Sequence, residues 1–319
     1  MDKGVFVVGM DRSGTSTATG LISLLGVCTP SGVDLIQARN ENPKGVWESK
    51  SLVAFNRRVL ATVGTDERFP IALEPGWEDD PRLERLRANA AGAVREVFPV
   101  SPWVWKDPLH CLVFAFWRKA LAVQPVVVLM HRNPLEIAAS AQRAWGREKI
   151  YGLALWERYL RQAVAQIEGL PVLVMSYDQI LSEPLAWSEQ VHGFLAGAGI
   201  RVDPPRERDV LSFVDPKLRH AHFALADVRR NDDVSGQQAA LFEALVELGG
   251  SHEHFAAPEL PDETPTTEAL LAERRNAFQI KADLERLLDL ERQSRWRARV
   301  RSSRYAAPLR RLYATARGR

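Results

Sequence analysis

Short apolar runs alternate with longer amphipathic stretches over the first 250 residues of the chain. Four of the runs are rich in β-branched or aromatic residues and too short for helices. They predict strands that begin at residues 5, 103, 125 and 172. Helical periodicity is found in the stretches 51–63, 81–97, 112–121, 150–167, 184–195 and 234–248. Repeated strand–helix units predict an α/β fold with an open parallel sheet flanked by helices.

The pattern changes near residue 256. The segment 256–267 contains three prolines and predicts a linker, and the leucines beyond it predict one long helix. From Arg292 to Arg319 there are ten arginines and no acidic residue. We therefore expect an α/β domain over 1–255, a linker over 256–267 and a basic helical extension over 268–319. Peripheral membrane contact, self-association and a solvated tail all remain open for this extension.

The first strand runs into the turn GMDRSGTS and then into a helix. This order builds an anion site, because the free N–H groups of a helix start point towards negative charge. Gly9, Gly14 and Ser16 have the spacing of a Walker A loop, but Thr15 stands where that loop has its lysine. The nearby cation is Arg12. The loop therefore predicts phosphate binding without the lysine that contacts the β- and γ-phosphates of a nucleoside triphosphate.

Three further strands end in polar residues. The run PVVVLM continues into His131-Arg132-Asn133-Pro134, and Ser140 lies two turns along the helix that follows. Lys106 follows the strand at 103–105, and Tyr177 follows the strand at 172–175. Ligands of open α/β sheets bind at the carboxyl ends of the strands, so these residues are predicted to share one site.

These motifs resemble those of sulfotransferases that use 3′-phosphoadenosine 5′-phosphosulfate (PAPS), particularly the bacterial branch of the family. GMDRSGTS resembles the loop that binds the 5′-phosphosulfate, and the Arg132–Ser140 spacing resembles the motif that binds the 3′-phosphate. WKDP and SYDQIL are similar to two further segments of the family, and the resemblance covers about residues 4–225. It implies a P-loop-type sheet and PAPS as the sulfuryl donor.

The resemblance also implies roles for individual residues. The 5′-phosphosulfate would be held by Arg12, Ser13, Gly14, Thr15 and Ser16. Lys106 would approach the bridging oxygen of the donor, and Tyr177 would lie near the adenine. Arg219, in VDPKLRH, is similar to a late segment of the family that returns over the cofactor.

Two residues are candidates for the base that takes the acceptor's proton. Glu48 ends the stretch NPKGVWE, which resembles a segment of the bacterial relatives that carries a glutamate. A carboxylate at this place could instead stabilise a helix start. His110 follows WKDP and is the rival base, or else a partly buried histidine at a helix start.

The predicted function is transfer of a sulfuryl group from PAPS to a hydroxyl, or less readily an amine, with no metal ion required. Segments rich in aromatic residues favour a carbohydrate or glycolipid acceptor, with a small natural product as second choice. The aromatic candidates for the acceptor pocket are Trp47, Phe55, Trp77, Trp145 and Trp156. A P-loop kinase and a non-catalytic membrane-associated scaffold are the alternatives.

Composition adds limits on class and location. The chain has 319 residues, of which 46% are hydrophobic, so a sizeable core is expected. The net charge of +2 says little about partners, and nucleic acid is not expected because the sequence has no recognised nucleic-acid-binding module. Cys28 and Cys111 have neither metal-site nor disulfide spacing. The first strand begins at Val5, and no apolar run approaches the ~20 residues of a membrane span. A cytoplasmic enzyme is expected.

Overall fold

The computed structural model describes residues 3–37, 45–215 and 221–302, with the backbone alone for 296–302. Five strands form one sheet in the order β2-β1-β3-β4-β5. The strands are β1 Lys3–Val8, β2 Val104–Lys106, β3 Gln124–His131, β4 Val172–Ser176 and β5 Gly250–His252. The first four are parallel, and β5 pairs antiparallel with β4 at the edge. The predicted α/β class is confirmed.

Helices cover both faces of the sheet. The α-helices are α1 Thr15–Ser23, α2 Lys50–Thr62, α3 Glu84–Val97, α4 His110–Ala120, α5 Pro134–Trp145, α6 Lys149–Gln166, α7 Tyr177–Ser182, α8 Pro184–Gly197, α9 Glu207–Phe213, α10 Leu225–Arg230, α11 Gly236–Glu247 and α12 Pro265–Ser302. Short 3₁₀ turns lie at Gly32–Asp34, Trp77–Asp79 and Pro81–Leu83. In the described ranges, no helix is long and apolar enough to cross a membrane.

The strand β1 shows how the two faces are filled. Val5 and Val7 belong to one buried cluster, together with apolar residues of α1 and α8. Phe6 and Val8 belong to a second cluster, on the side of α2, α4 and α6. Successive strand residues point to opposite faces, so a run without polar alternation is apolar on both sides. This is why β1 and β3 are read correctly from continuous apolar sequence.

The carboxyl ends of the four parallel strands lie along one edge of the sheet. The register pairs Val7 of β1 with Lys106 of β2, and Val8 with Leu129 of β3. On the other side of β3, His131 pairs with Ser176 at the end of β4. The loops that follow these strands therefore start side by side, which is the arrangement that the sequence predicts for the site.

The chain divides into two compact units, Met1–Leu271 and Ala272–Arg319. The segment 256–267, for which a linker is predicted, contains buried side chains in the first unit. Thr264 and Thr267 both donate hydroxyl hydrogen bonds to the fully buried Glu157 of α6, at 3.1 and 2.7 Å. The helix α12 begins at Pro265, within the predicted linker, and Leu271 is fully buried. Residues 303–319 of the basic extension lie outside the described residues.

Candidate active site

The loop between β1 and α1 is shaped by residues with positive φ. Gly14, the N-cap of α1, has φ +88°, and Arg12 has φ +67°. A Cβ atom on Gly14 would overlap the ring of Tyr177, so this position needs glycine for both conformation and space. Ser13 is fully buried, and its hydroxyl donates to the Met10 carbonyl at 2.6 Å. The loop thus brings the N–H groups of the first turn of α1 to the sheet edge.

The two predicted phosphate motifs meet at this loop. Arg12 Nε donates to Ser140 Oγ at 2.9 Å, although the residues are 128 positions apart. Arg132 donates from Nη1 to the Arg12 carbonyl at 3.1 Å. The fold positions Ser140 by starting α5 directly after Arg132: the Asn133 side chain caps the helix through Leu135 N at 3.0 Å.

Arg132 is 9% exposed, and its charge is balanced within the protein. Its Nε donates to Glu136 Oε2 at 2.8 Å, and Glu136 is fully buried one turn along α5. Its guanidinium lies 4.5 Å from the centre of the Tyr177 ring. Glu136 also lies within 4.8 Å of ligand atoms of Asp178 and His222, a grouping that could hold a cation.

Lys106 and Glu48 form an ion pair beside the loop. Lys106 is the last residue of β2 and 2% exposed, whereas Glu48 is 18% exposed. Glu48 precedes Ser49, whose side chain caps α2 by accepting from Leu52 N at 3.1 Å. The Glu48 carboxylate is thus close to a helix start, as expected if it stabilised that helix. It is paired, however, with the Lys106 ammonium. A buried ammonium beside a more exposed carboxylate suits both charge stabilisation and proton acceptance.

A second carboxyl group, that of Asp107, lies next to this pair. It is 1% exposed and accepts from Asn56 Nδ2 at 2.8 Å and from Leu109 N at 2.9 Å. Burial, with the nearby Glu48 charge, raises the pKa of Asp107 to about 7. Neither Asn56 nor the role of Asp107 was predicted from the sequence, although Asp107 lies within the WKDP motif.

The rival base, His110, lies in the hydrophobic core. It is fully buried at the start of α4, with its ring 4.6 Å from the Trp105 ring and 5.5 Å from the Phe6 ring, centre to centre. Burial lowers the pKa of His110 to about 3, so the ring is neutral at pH 7.

Other predicted residues are placed as follows. Thr15 is buried, and Ser16 Oγ donates to the Val46 carbonyl at 3.4 Å, which ties the loop to the segment before Glu48. Tyr177 packs on the loop as described above. Arg219 lies outside the described residues, as do Asn42, Pro43 and Lys44 of the motif that ends at Glu48.

A cavity of about 400 Å³ opens beside Glu48 and Asp107. Its walls include the aromatic residues Trp145, Tyr151 and Tyr159 and the apolar residues Met10, Val53 and Leu155. Of the predicted aromatic residues, Trp145 lines this cavity, whereas Phe55 and Trp156 belong to the core and Trp77 lines a different cavity. Tyr151 and Tyr159 were missed, because their place on α6 gives no local sign of a cavity.

Trp145 connects this cavity with the phosphate loop. The guanidinium of Arg12 lies 5.5 Å from the centre of its ring, and that of Arg147 lies 4.8 Å away. Arg147 in turn pairs with Asp11 at 3.2 Å. A smaller cavity, of about 270 Å³, lies between the ends of β3 and β4 and is lined by His131, Arg132 and Tyr177, among others.

Comparison with known proteins gives weak likenesses. No protein-family model and no curated protein sequence matches the chain. Among solved structures, it is similar to the sulfotransferase domain from the curacin biosynthetic pathway, with 14% identity and a TM-score of 0.39 over 86% of this chain and 98% of that one. It is also similar to the sulfotransferase domain from the Synechococcus PCC 7002 olefin synthase, with 16% identity and a TM-score of 0.38 over 86% and 94%. At this level the likeness carries no conclusion about chemistry.

Proposed function

We propose that the chain is a sulfotransferase that moves a sulfuryl group from PAPS to a hydroxyl group. The observation that carries the proposal is the meeting of Arg12, Arg132 and Ser140 at the carboxyl edge of the sheet, with Lys106 on the neighbouring strand. Arg12, Lys106 and Arg132 follow or end the neighbouring strands β1, β2 and β3, and Ser140 lies on α5, two turns after Arg132. A donor with phosphate groups at both its 3′ and 5′ positions fits a site with basic side chains from three neighbouring strand ends.

The donor would lie along this edge. Backbone N–H groups from Ser13 to Ser16 and the side chain of Arg12 would hold the 5′-phosphosulfate. Arg132 and Ser140 would hold the 3′-phosphate, because a guanidinium and a hydroxyl donate readily to phosphate oxygens. Tyr177 and the smaller cavity beside it would take the adenine.

The chemistry would take place between Lys106 and Glu48. The acceptor oxygen attacks sulfur, the bond from sulfur to the phosphate oxygen breaks, and adenosine 3′,5′-bisphosphate leaves with that oxygen. Lys106 would stabilise the negative charge that develops there. Glu48 would take the acceptor's proton. We assign the base to Glu48 rather than to His110, because Glu48 lines the 400 Å³ cavity and His110 is buried among aromatic rings.

The acceptor would bind in the 400 Å³ cavity that Glu48 lines. An aromatic face such as that of Trp145, which is 45% exposed, stacks well on the apolar face of a sugar. The charged groups of Asp11, Arg57 and Glu67, which also line the cavity, would bond to hydroxyl groups. We therefore favour a carbohydrate or glycolipid acceptor, with a small natural product as the second choice.

Calorimetric titration tests the donor. Adenosine 3′,5′-bisphosphate should bind with heat that is independent of Mg²⁺, and ATP should bind more weakly. Mg²⁺-dependent binding of ATP that exceeds binding of the bisphosphate would support a P-loop kinase instead. Binding of neither nucleotide would support a non-catalytic scaffold. Transfer of labelled sulfate from PAPS to a panel of glycans and small phenols would then identify the acceptor class.

A further inference from the structure

A buried chain of hydrogen bonds runs from α4 through α2 to the end of β2. Trp117 Nε1 donates to Asn56 Oδ1 at 2.7 Å, and Asn56 Nδ2 donates to Asp107 Oδ2 at 2.8 Å. Asn56 is fully buried, and Trp117 and Asp107 are each 1% exposed. An indole N–H can only donate, so it fixes the carbonyl end of the Asn56 amide and turns the NH₂ towards Asp107. The direction of each hydrogen bond from Trp117 to Asn56 and from Asn56 to Asp107 is therefore fixed.

These hydrogen bonds hold the Asp107 carboxyl beside the proposed reaction site. It follows Lys106 directly and lines the same cavity as Glu48. The charged groups that act on it are Glu48, from the segment before α2, and Lys106, from β2. On the other packed elements its neighbours are neutral: Asn56 on α2 donates to it, and the Cys111 thiol on α4, whose pKa burial raises, lies near it.

A buried asparagine between a tryptophan and an aspartate has a structural cost unless each donor is satisfied. Here Trp117 Nε1 and Asn56 Nδ2 each donate to an acceptor, and both Asp107 oxygens accept a hydrogen bond. The arrangement favours the ionised carboxyl, because both bonds that Asp107 receives come from N–H donors. Burial and the Glu48 charge oppose ionisation, which leaves the group balanced near pH 7.

We propose that Asn56 and Asp107 are positioning residues for sulfuryl transfer, which fix the charge beside the Lys106–Glu48 pair through this hydrogen-bond chain. The proposal rests on the proposed function for its kinetic consequence only. Asp107 does not take the acceptor's proton in this scheme. It sets the electrostatic field in which Lys106 and Glu48 act, and Asn56 sets the orientation and ionisation of Asp107.

Exchanging the two residues separates charge from packing. In Asn56→Asp/Asp107→Asn, the new aspartate accepts from Trp117 and from the new asparagine, whose carbonyl still accepts from Leu109 N. Every bond is kept with nearly unchanged volume, and the charge moves from position 107 to position 56. Each single variant breaks the pattern: Asp107→Asn offers one acceptor to two donors, and Asn56→Asp sets two carboxyls face to face.

The Tm of thermal unfolding reports on packing and hydrogen bonding, and kcat reports on the position of the charge. Each single variant should lower Tm by about 2–8 °C, and the exchange should recover most of that loss. The exchange should still lower kcat by about 10- to 100-fold, with the Kd for adenosine 3′,5′-bisphosphate unchanged, because small displacements of the groups around a reaction site have that order of effect. The inflection of kcat near pH 7 that the wild type should show, where Asp107 titrates, should disappear.

One result overturns the proposal directly. If the exchanged protein regains Tm, kcat and the wild-type pH profile together, Asp107 has a packing role only. If the exchange does not fold, Trp117→Phe keeps most of the packing and removes the donor that orients Asn56. It should then shift the kcat inflection to higher pH, because Asp107 receives a weaker hydrogen bond; an unshifted inflection refutes the proposal.

A measurement that does not depend on catalysis tests the role of Asn56 and Asp107 independently of the proposed function. Carboxyl ¹³C NMR of aspartate-labelled wild type, with Asp107→Asn for assignment, should show one aspartate that titrates near pH 7 and shifts upwards in Trp117→Phe. Failure of the protein to bind adenosine 3′,5′-bisphosphate would refute sulfuryl transfer and leave this titration interpretable. A titration of Asp107 that is the same in wild type and in Trp117→Phe would refute the network's role even in an active sulfotransferase.

Discussion

Replacing Arg132 by alanine should weaken the binding of adenosine 3′,5′-bisphosphate and also destabilise the fold. The guanidinium contacts Glu136, the Arg12 carbonyl and the face of Tyr177. Loss of a charged hydrogen-bonded contact to the 3′-phosphate costs about 1.5–3 kcal/mol. That corresponds to roughly a 10- to 150-fold higher Kd. Adenosine 5′-phosphate, which has no 3′-phosphate, should bind almost equally to wild type and variant.

The stability loss has a separate origin. Glu136 is fully buried, and removal of Arg132 deletes the guanidinium that pairs with its carboxylate. Breaking a buried pair in this way costs about 3–5 kcal/mol. We expect the lower end of that range, because Glu136 Oε1 still accepts from Phe223 N at 3.2 Å. Urea unfolding followed by circular dichroism would measure this loss.

A double variant distinguishes the two effects. Arg132→Met/Glu136→Gln removes both charges and retains most of the side-chain volume, so it should recover much of the stability. It should not recover affinity for the bisphosphate, measured by calorimetry. The matched control, Glu136→Gln alone, keeps the guanidinium and should keep the affinity. The assignment of Arg132 to the 3′-phosphate is wrong if both nucleotides weaken equally, or if the double variant binds the bisphosphate normally.

Three further predictions concern the base, the extension and acid stability. Glu48→Gln should lower kcat by about 10²–10⁴-fold with nucleotide affinity unchanged, whereas His110→Phe should keep most activity; the opposite outcome makes His110 the base. Deletion of residues 292–319 should leave calorimetric affinity for the bisphosphate intact and, if the tail is a membrane tether, abolish binding to anionic vesicles; equal vesicle binding by both forms removes the tether. Between pH 6.5 and 4 the neutral burial of His110 and His131 lowers stability as pH falls, while Asp107, with a raised pKa, acts in the opposite direction. The two histidines together outweigh Asp107, so the free energy of unfolding should fall as pH falls over this range, and a flat profile in urea titrations would contradict it.

The sequence predicts the fold well where the information is local. A helix predicted at 150–167 is observed at Lys149–Gln166, and one predicted at 184–195 is observed at Pro184–Gly197. Proline at the first turn and continuous apolar strands leave little ambiguity. The edge strand β5 was missed, because Gly250–His252 carries no apolar run and is defined by its pairing with β4.

Polar contacts between residues that are distant in sequence could not be predicted from the sequence. Arg158 is 1% exposed on α6 and pairs with Glu263 at 2.6 Å, 105 residues along the chain. Nothing in its neighbourhood marks it as a buried cation. Asn56 is similar, because its partners Trp117 and Asp107 come from two other elements. Such residues are found only when the fold brings their partners together.

The three cations of the candidate site share one property that bears on affinity. Arg12 donates to Ser140, Lys106 pairs with Glu48, and Arg132 pairs with Glu136. A phosphate or sulfonate that enters must share or replace these partners, so the gain from each cation is smaller than its charge alone suggests. The same partners keep each cation in place before the ligand arrives, which lowers the ordering cost of binding. We therefore expect the site to bind nucleotides with moderate affinity. That affinity should depend strongly on which positions of the nucleotide carry phosphate groups, because the three cations are held at fixed places.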